Sequence, residues 1–396
     1  MRPIVTDLID AGEAVALLGV GRATLYAYVS RGQIRAEPDP ADPRRRLYRR
    51  AEIEALRQRK ARGRRPETVA EATLDWGLPV LDSGVSLIAD GRLSYRGRDA
   101  TVLAGTATIE ATARLLWDCG GVDPFEASAP PMPAAWVPVL PLLGGLAPLD
   151  RAQALLALVP PALPSWRRTA ARLWPEAAGL VRLIAAAAIG RAPSVLPIHR
   201  MLAESWGLDV QGADKLRAAL VLSADHELNA STFTVRCIAS TGASLPAALL
   251  GGLAALSGPR HGGMTERVEV LFAELDRDRD PERLIAGRVA RGETVPGFGH
   301  PLYPAGDPRG SALLALAEPD ELTRGLVQAV ADLTGQLPTL DVGLVTLARQ
   351  LGLPAGSAAA LFAVGRTAGW LAHALEQAAQ NRLIRPRARY VGPMPG

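Results

Sequence analysis

Cysteine is nearly absent from this 396-residue chain: Cys119 and Cys237 are the whole complement. Two thiols cannot build a disulfide framework, and they cannot supply a cysteine-rich zinc site. Histidine is scarce as well. The five are His199, His226, His261, His300 and His373, and no two are spaced as ligands on one helix face. His226-Glu227 opens like a zinc-binding His-Glu-x-x-His, but position 230 is Ala. No resident metal is therefore expected. Long apolar runs are missing too. The longest, 134–149 and 244–258, are too short for a bilayer span, and proline interrupts the first. Residues 1–7 hold no apolar signal-peptide core. A cytoplasmic chain without a membrane partner is the expectation. Gly19-Val20-Gly21 lacks both the third glycine and the preceding strand of a dinucleotide loop.

What is present is a large apolar fraction, 48%, enough for a sizeable core. The net charge of +4 hides an asymmetry: residues 1–65 carry +7 and the remainder −3. A small basic block on a nearly neutral body suggests a nucleic-acid arm attached to something else. Three segments are expected: a module at 1–62, a charged, Gly/Pro-punctuated linker at 63–76, and a body at 77–396.

In the module, residues 8–19 read as an amphipathic helix with Ala14, Leu17 and Leu18 on one face. Residues 23–30 read as a second helix with Leu25, Tyr28 and Val29 inward. A Pro- and Asp-rich loop, a basic hairpin and a third helix over 51–62 follow. Helix, tight turn, helix and basic hairpin describe the winged helix-turn-helix. The run EAVALLGVGRATLYAYVSRGQIRAEP…RRRLYRRAEIEAL resembles the MerR/excisionase class. The resemblance implies DNA as a partner. Arg22, Thr24, Tyr26 and Tyr28 would lie on or near the recognition helix, with Arg44, Arg45, Arg46 and Arg49 on the wing beside phosphates.

In the body, residues 78–98 alternate around Asp90-Gly91, a hairpin turn signal. From about 107 the periodicity is helical, with proline-broken short helices through 124–164. Three histidines sit in unusual settings: His226 in SADHELNASTFTVR, His261 in LSGPRHGGMTE, and His300 in VPGFGHPLYPAGDPRG. Flanking glycines let backbone approach a ligand closely and leave an imidazole exposed in a loop. Arg309, Arg366 and Arg385 add guanidinium groups. Clustered Arg with neutral His suits a small dicarboxylate, because the forks pair carboxylates and His donates to a carbonyl.

These blocks occur in the order ADHELNAST, GPRHGG, PGFGH…DPR, LPTLDVG, GRTAGWLAHALEQ, LIRPRARYVG, after an opening GVSLIADGRLSYRG. In that order they resemble the citrate synthase family over residues 77 to 392. The resemblance implies a mainly α, two-domain (large and small) helical fold behind the small winged helix-turn-helix. It implies condensation of acetyl-CoA with oxaloacetate to citrate and CoA, with acetyl-CoA as co-substrate and no bound cofactor. By the same resemblance Asp341 is the base, His261 stabilises the enol, and His300 donates to the oxaloacetate ketone. His226, Arg309 and Arg366 would hold oxaloacetate, Arg385 would come from a neighbouring subunit of a homodimer, and Val295, Gly297, Phe298 and Gly299 would line the acyl-CoA side. Two alternatives remain: 2-methylcitrate synthesis from propionyl-CoA, and a DNA-binding regulator whose body senses metabolites. The chain departs from the family's pattern at Pro304, where a basic residue is usual, and at Met264-Thr265, where Ala-Asn is common.

Overall fold

The computed structural model describes residues 8–30, 33–39, 42, 45–63, 80–160, 163–165 and 168–393. Contacts divide the chain into two compact units, Met1–Asp82 and Ser83–Gly396. The linker expected at 63–76 lies, but for Gly63, outside the described residues.

The first unit begins with a short strand, β1 (Leu8–Ile9), where a helix had been expected. The physical reason is Asp10. Its carboxylate accepts the N–H groups of Gly12 and Glu13 at 2.7 and 2.9 Å, and Glu13 reaches back to the Asp10 N–H. This capping box starts α1 at Ala11–Leu18 and frees residues 8–9 to pair with β3. Gly19, at φ +62°, ends the helix in the left-handed region. α2 (Arg22–Ser30) follows, then β2 (Ala36–Pro38), β3 (Arg46–Arg49) and α3 (Arg50–Gly63). The strands form an antiparallel sheet in the order β1-β3-β2. Ile9, Ala14, Leu18, Leu25, Ile34, Tyr48, Ile53 and Leu56 make its separate small core.

The second unit opens with a hairpin, β4 (Ser86–Ala89) and β5 (Arg92–Tyr95), extended by β6 (Arg98–Asp99). Asp90 and Gly91, at φ 51° and 72°, form its two-residue turn. The helices α4 (Ala100–Thr106), α5 (Ile109–Leu116), α6 (Pro148–Ala157), α7 (Ala170–Ile189), α8 (Ile198–Ser205) and α9 (Val210–Leu222) follow. Two short 3₁₀ turns, Ala134–Trp136 and Leu140–Leu143, stand where proline forbids longer helices. Then come α10 (Ala230–Ser240), α11 (Leu245–Leu256), α12 (Met264–Asp278), α13 (Pro281–Ala290), α14 (Pro308–Ala317), α15 (Glu321–Thr334), α16 (Leu340–Gln350) and α17 (Ser357–Gln380).

The 24-residue α17 is the axis of this unit and is buried nearly all round, as an interior helix must be if it is apolar on every face. It approaches the backbone after α9 closely. A Cβ at Gly369 would stand 2.3 Å from the Ala224 carbonyl, and the Gly369 N–H donates to that same oxygen at 3.0 Å. This contact matters because residues 223–227 carry a histidine of the site. Among the described residues no helix is long and apolar enough to cross a membrane.

Candidate active site

The loop between α9 and α10 holds His226 by clamping its two neighbours. Asp225 is fully buried; it pairs with His373 of α17 at 3.3 Å and accepts the Ser86 hydroxyl from β4. Glu227 adopts φ 49°, a left-handed conformation that costs a non-glycine residue energy. The Glu227 N–H donates to Ser86 Oγ at 3.0 Å, and the Glu227 carboxylate accepts the Ile88 N–H. The β4–β5 hairpin therefore pins a strained turn. Between these anchors His226 is buried, its pKa pushed well below the ordinary imidazole value by burial and by the cations Arg309 and Arg366.

His261 lies in the turn after α11. Its Nε2 is 2.6 Å from Ser231 Oγ, and its ring meets Phe362 edge-on at 6.0 Å. Ser231 also accepts the indole N–H of Trp370 at 3.1 Å and donates its hydroxyl to Asn229 Oδ1 at 2.8 Å. Asn229 is the N-cap of α10, so a helix start holds the serine in place. Burial, with Arg366 adding to it, lowers the His261 pKa to about 3.

His300 follows Gly297, Phe298 and Gly299. Gly297 has φ +81°, and a Cβ there would lie 2.5 Å from Val268 and 2.7 Å from Val342, so only glycine fits. The Gly297 carbonyl accepts both the N–H and the hydroxyl of Thr339, and the Gly299 N–H donates to Leu337. Val295 and Phe298 are buried in the hydrophobic core. The 295–299 segment thus meets residues 337–339 through backbone. The His300 ring stands 5.1 Å from His226, at right angles, and 5.1 Å from Tyr303. Its Nδ1 accepts the Leu302 N–H at 3.2 Å, and burial with Arg309 nearby lowers its pKa to about 4.

Arg309 lies at the start of α14, bound to Asp307 at 2.8 Å, with its guanidinium 5.6 Å from the Tyr303 ring centre. Asp341 is the second residue of α16, whose N-cap is Thr339. The Thr339 hydroxyl is 3.1 Å from Asp341 Oδ2, while Oδ1 is buried without a partner. Burial raises the Asp341 pKa to about 6. Arg366 is buried within α17. Its Nε donates to the Ser223 carbonyl at 2.9 Å, but Nη1 and Nη2 are buried with no hydrogen-bond partner. Burial lowers its pKa to about 10, which leaves it cationic at neutral pH.

The fold therefore brings together His226, His261, His300, Arg309, Asp341 and Arg366. Arg385 is exposed in the segment after α17, outside this cluster. Among the described residues no group of three or more His, Cys, Asp or Glu is arranged to hold a metal. The glycine-flanked His261 and His300 are partly buried, not exposed as their flanks had suggested, because neighbouring helices close over the turns. Sequence reasoning missed Ser231, Thr339, Tyr303 and Asp307 as partners of the flagged residues; Asp307 and Thr339 stand two residues from Arg309 and Asp341, whereas nothing local marks Ser231 and Tyr303. In the first unit Arg22, Thr24 and Tyr26 are exposed along α2, whereas Tyr28 is half-buried against the small core. Arg45 is near Asp42 at 3.8 Å, Arg49 is bound to Glu37, and Arg46 makes no ion pair with a described residue. Arg44 lies outside the described residues.

Comparison with known proteins bears on both units. Residues 8–61 match the model of a helix-turn-helix domain, and residues 73–387 match that of the citrate synthase C-terminal domain. The chain is 40% identical over 199 residues to "Putative citrate synthase 2" of Mycobacterium tuberculosis, an alignment covering 47% of this chain and 53% of that protein. It is 34% identical over 187 residues to "2-methylcitrate synthase" of Shewanella oneidensis, covering 45% and 50%. These matches span about half the length of those relatives. "Citrate synthase 2" of Bacillus subtilis aligns further, 30% identical over 352 residues, 80% of this chain and 95% of that one. The citrate synthase structure from Thermotoga maritima superposes with a TM-score of 0.67 at 27% identity, covering 81% and 95%. With a family match over most of its length and a full-length relative of the same kind, the chain belongs to the citrate synthase family, and it carries a helix-turn-helix domain at its N-terminal end.

Proposed function

We propose that the second unit condenses an acyl-CoA, acetyl-CoA first, with oxaloacetate, releasing citrate and CoA. The observation that carries this is Arg366: two buried guanidinium nitrogens without partners, beside three neutral histidines. A buried cation with open donors is costly unless an anion completes it, and a dicarboxylate is the matching shape. Arg366, Arg309 and His226 would hold oxaloacetate, and the partner subunit's Arg385 would complete the site in a homodimer.

Asp341 is suited to be the base. With a pKa near 6 it is ionised at neutral pH yet basic for a carboxylate, which favours proton removal from the carbon next to the thioester. The enolate oxygen needs a donor in the same site. The Ser231 hydroxyl donates to Asn229 Oδ1, so the His261 ring proton lies on Nε2, held by the serine oxygen in the free protein and turned to the enolate oxygen when substrate binds. His300, whose Nδ1 is an acceptor for Leu302, carries its proton on Nε2. The enol carbon attacks the ketone, the Nε2 proton goes to the new alkoxide, and water then hydrolyses the thioester to free CoA.

Thiol release with oxaloacetate and either acetyl-CoA or propionyl-CoA tests the reading, and no release with both would overturn it. A higher kcat/KM with propionyl-CoA would assign 2-methylcitrate synthesis, the activity named for the Shewanella relative; one methylene is worth only ~1–3 kcal/mol in such a choice. A second reading concerns the first unit. Arg22, Thr24 and Tyr26 are exposed on α2, which supports DNA as a partner and a regulatory role beside catalysis.

A further inference from the structure

Tyr303 lies at the centre of the site without belonging to the charged or imidazole groups that define it. It is 2% exposed. Its hydroxyl is 3.0 Å from His226 Nε2, and among the described residues it has no other hydrogen-bond partner. Its ring stands 5.6 Å from His226 and 5.1 Å from His300, and its face takes the Arg309 guanidinium at 5.6 Å. One side chain therefore touches three of the groups proposed to meet oxaloacetate.

The proton count between Tyr303 and His226 has one satisfactory solution. Both groups are neutral: burial raises the phenol pKa and lowers that of the imidazole. Were His226 to donate from Nε2, the phenol proton would be left buried without an acceptor, and an unmade bond of that kind is expensive. Were the phenol to donate, both atoms would be satisfied and the single imidazole proton would reside on Nδ1. His226 Nδ1 makes no hydrogen bond to a described residue, yet it is not among the sealed, unpartnered atoms, so it remains open to a ligand. An anion needs donors, and the opposite tautomer would turn a lone pair toward it.

We infer that Tyr303 is a positioning residue that fixes His226 in its Nδ1–H tautomer, converting it into a hydrogen-bond donor for the 2-oxo acid dianion, while its ring orients Arg309. The inference rests on the oxaloacetate reading for its ligand, but its tautomer part does not. Tyr303→Phe keeps the ring over Arg309 and removes only the hydroxyl. We expect the KM for oxaloacetate to rise about 5- to 10-fold, the size of one lost hydrogen bond, with kcat changing by less than about 2-fold. The tautomer is read directly by long-range ¹H–¹⁵N NMR on histidine-labelled protein without substrate, using His226→Gln to assign the signal. Wild type should show a protonated Nδ1 and a bare Nε2, and Tyr303→Phe should lose that preference. A protonated Nε2 in the wild type, or a variant with unchanged tautomer and unchanged KM, would overturn the inference. Because the wild-type spectrum needs neither a folded variant nor activity, it stands apart from the condensation assay. A chain that releases no thiol but shows the Nδ1–H signal would refute the enzyme reading and leave the positioning role intact.

Discussion

Asp307 and Arg309, separated by one residue, form a fully buried ion pair, and the same Asp307 carboxylate accepts the Leu340 N–H at 3.1 Å. One carboxylate thus ties the cation at the head of α14 to the first residue of α16, next to Asp341. Removing one member of a buried pair leaves an uncompensated charge. Asp307→Ala should therefore cost ~3–5 kcal/mol of stability in urea unfolding and raise the KM for oxaloacetate. A stability loss under ~1 kcal/mol would mean that solvent reaches Arg309, since exposed pairs contribute about that much.

Asp341 should set the acid limb of activity. Its carboxyl must be ionised to act as a base, so kcat/KM should rise with pH and reach half its plateau near pH 6. Asp341→Ala and His261→Ala should each lower kcat by ~10²–10⁴. Near-normal turnover in both purified variants would remove these two residues from the mechanism.

The same carboxyl should cost stability. Its folded pKa is raised from 3.8 to about 6, so between these values the folded state holds a proton that the unfolded chain has lost. Stability then falls as pH rises from 4 to 6. Asp341→Asn should abolish that fall and gain on the order of 1–3 kcal/mol at pH 7–8, with the gain gone below about pH 4. Parallel pH–stability curves for the two proteins would contradict the burial of this charge.

Oxaloacetate should raise the melting temperature of the wild type by mass action, and Arg366→Ala should lose most of that shift. An equal shift in both proteins would locate the anion elsewhere. A similar logic applies to Arg385. If it completes the site from a partner subunit, the protein should scatter light as a dimer, and mixing Arg385→Ala with Arg366→Ala should restore part of the activity. A fully active monomer would exclude that arrangement.

For the first unit, retention on DNA should fall steeply with salt, because phosphate contacts dominate such affinity. Arg46→Ala should reduce the slope of log K against log salt by about 1, and Arg22→Ala should weaken binding. The ion pairs of Arg45 and Arg49 with acidic neighbours make those two residues weaker contributors. A full-length protein retained no better on genomic fragments at ~50 mM salt than the Arg22→Ala, Arg46→Ala double variant would end the DNA reading.

The amino-acid order alone determined the two-part organisation, the mainly helical body and the six charged or imidazole residues that gather in the site. Helical periodicity and the Asp90-Gly91 hairpin turn mark the body locally, whereas the six site residues stand out through the ordered motifs, from ADHELNAST to GRTAGWLAHALEQ, that resemble the citrate synthase family. Only the tertiary structure decided which neutral side chains complete these groups. Tyr303 reaches His226 across 77 residues, Ser231 reaches His261 across 30, and Trp370 reaches Ser231 across 139. Nothing in PLYP or NAST announces such partners, because a hydroxyl or an indole acquires its role from the atom it meets. The raised pKa of Asp341 and the open donors of Arg366 have the same origin. Both follow from helices packing closely enough to exclude water, and a close approach such as Gly369 against Ala224 is a property of the folded backbone, not of any segment read by itself.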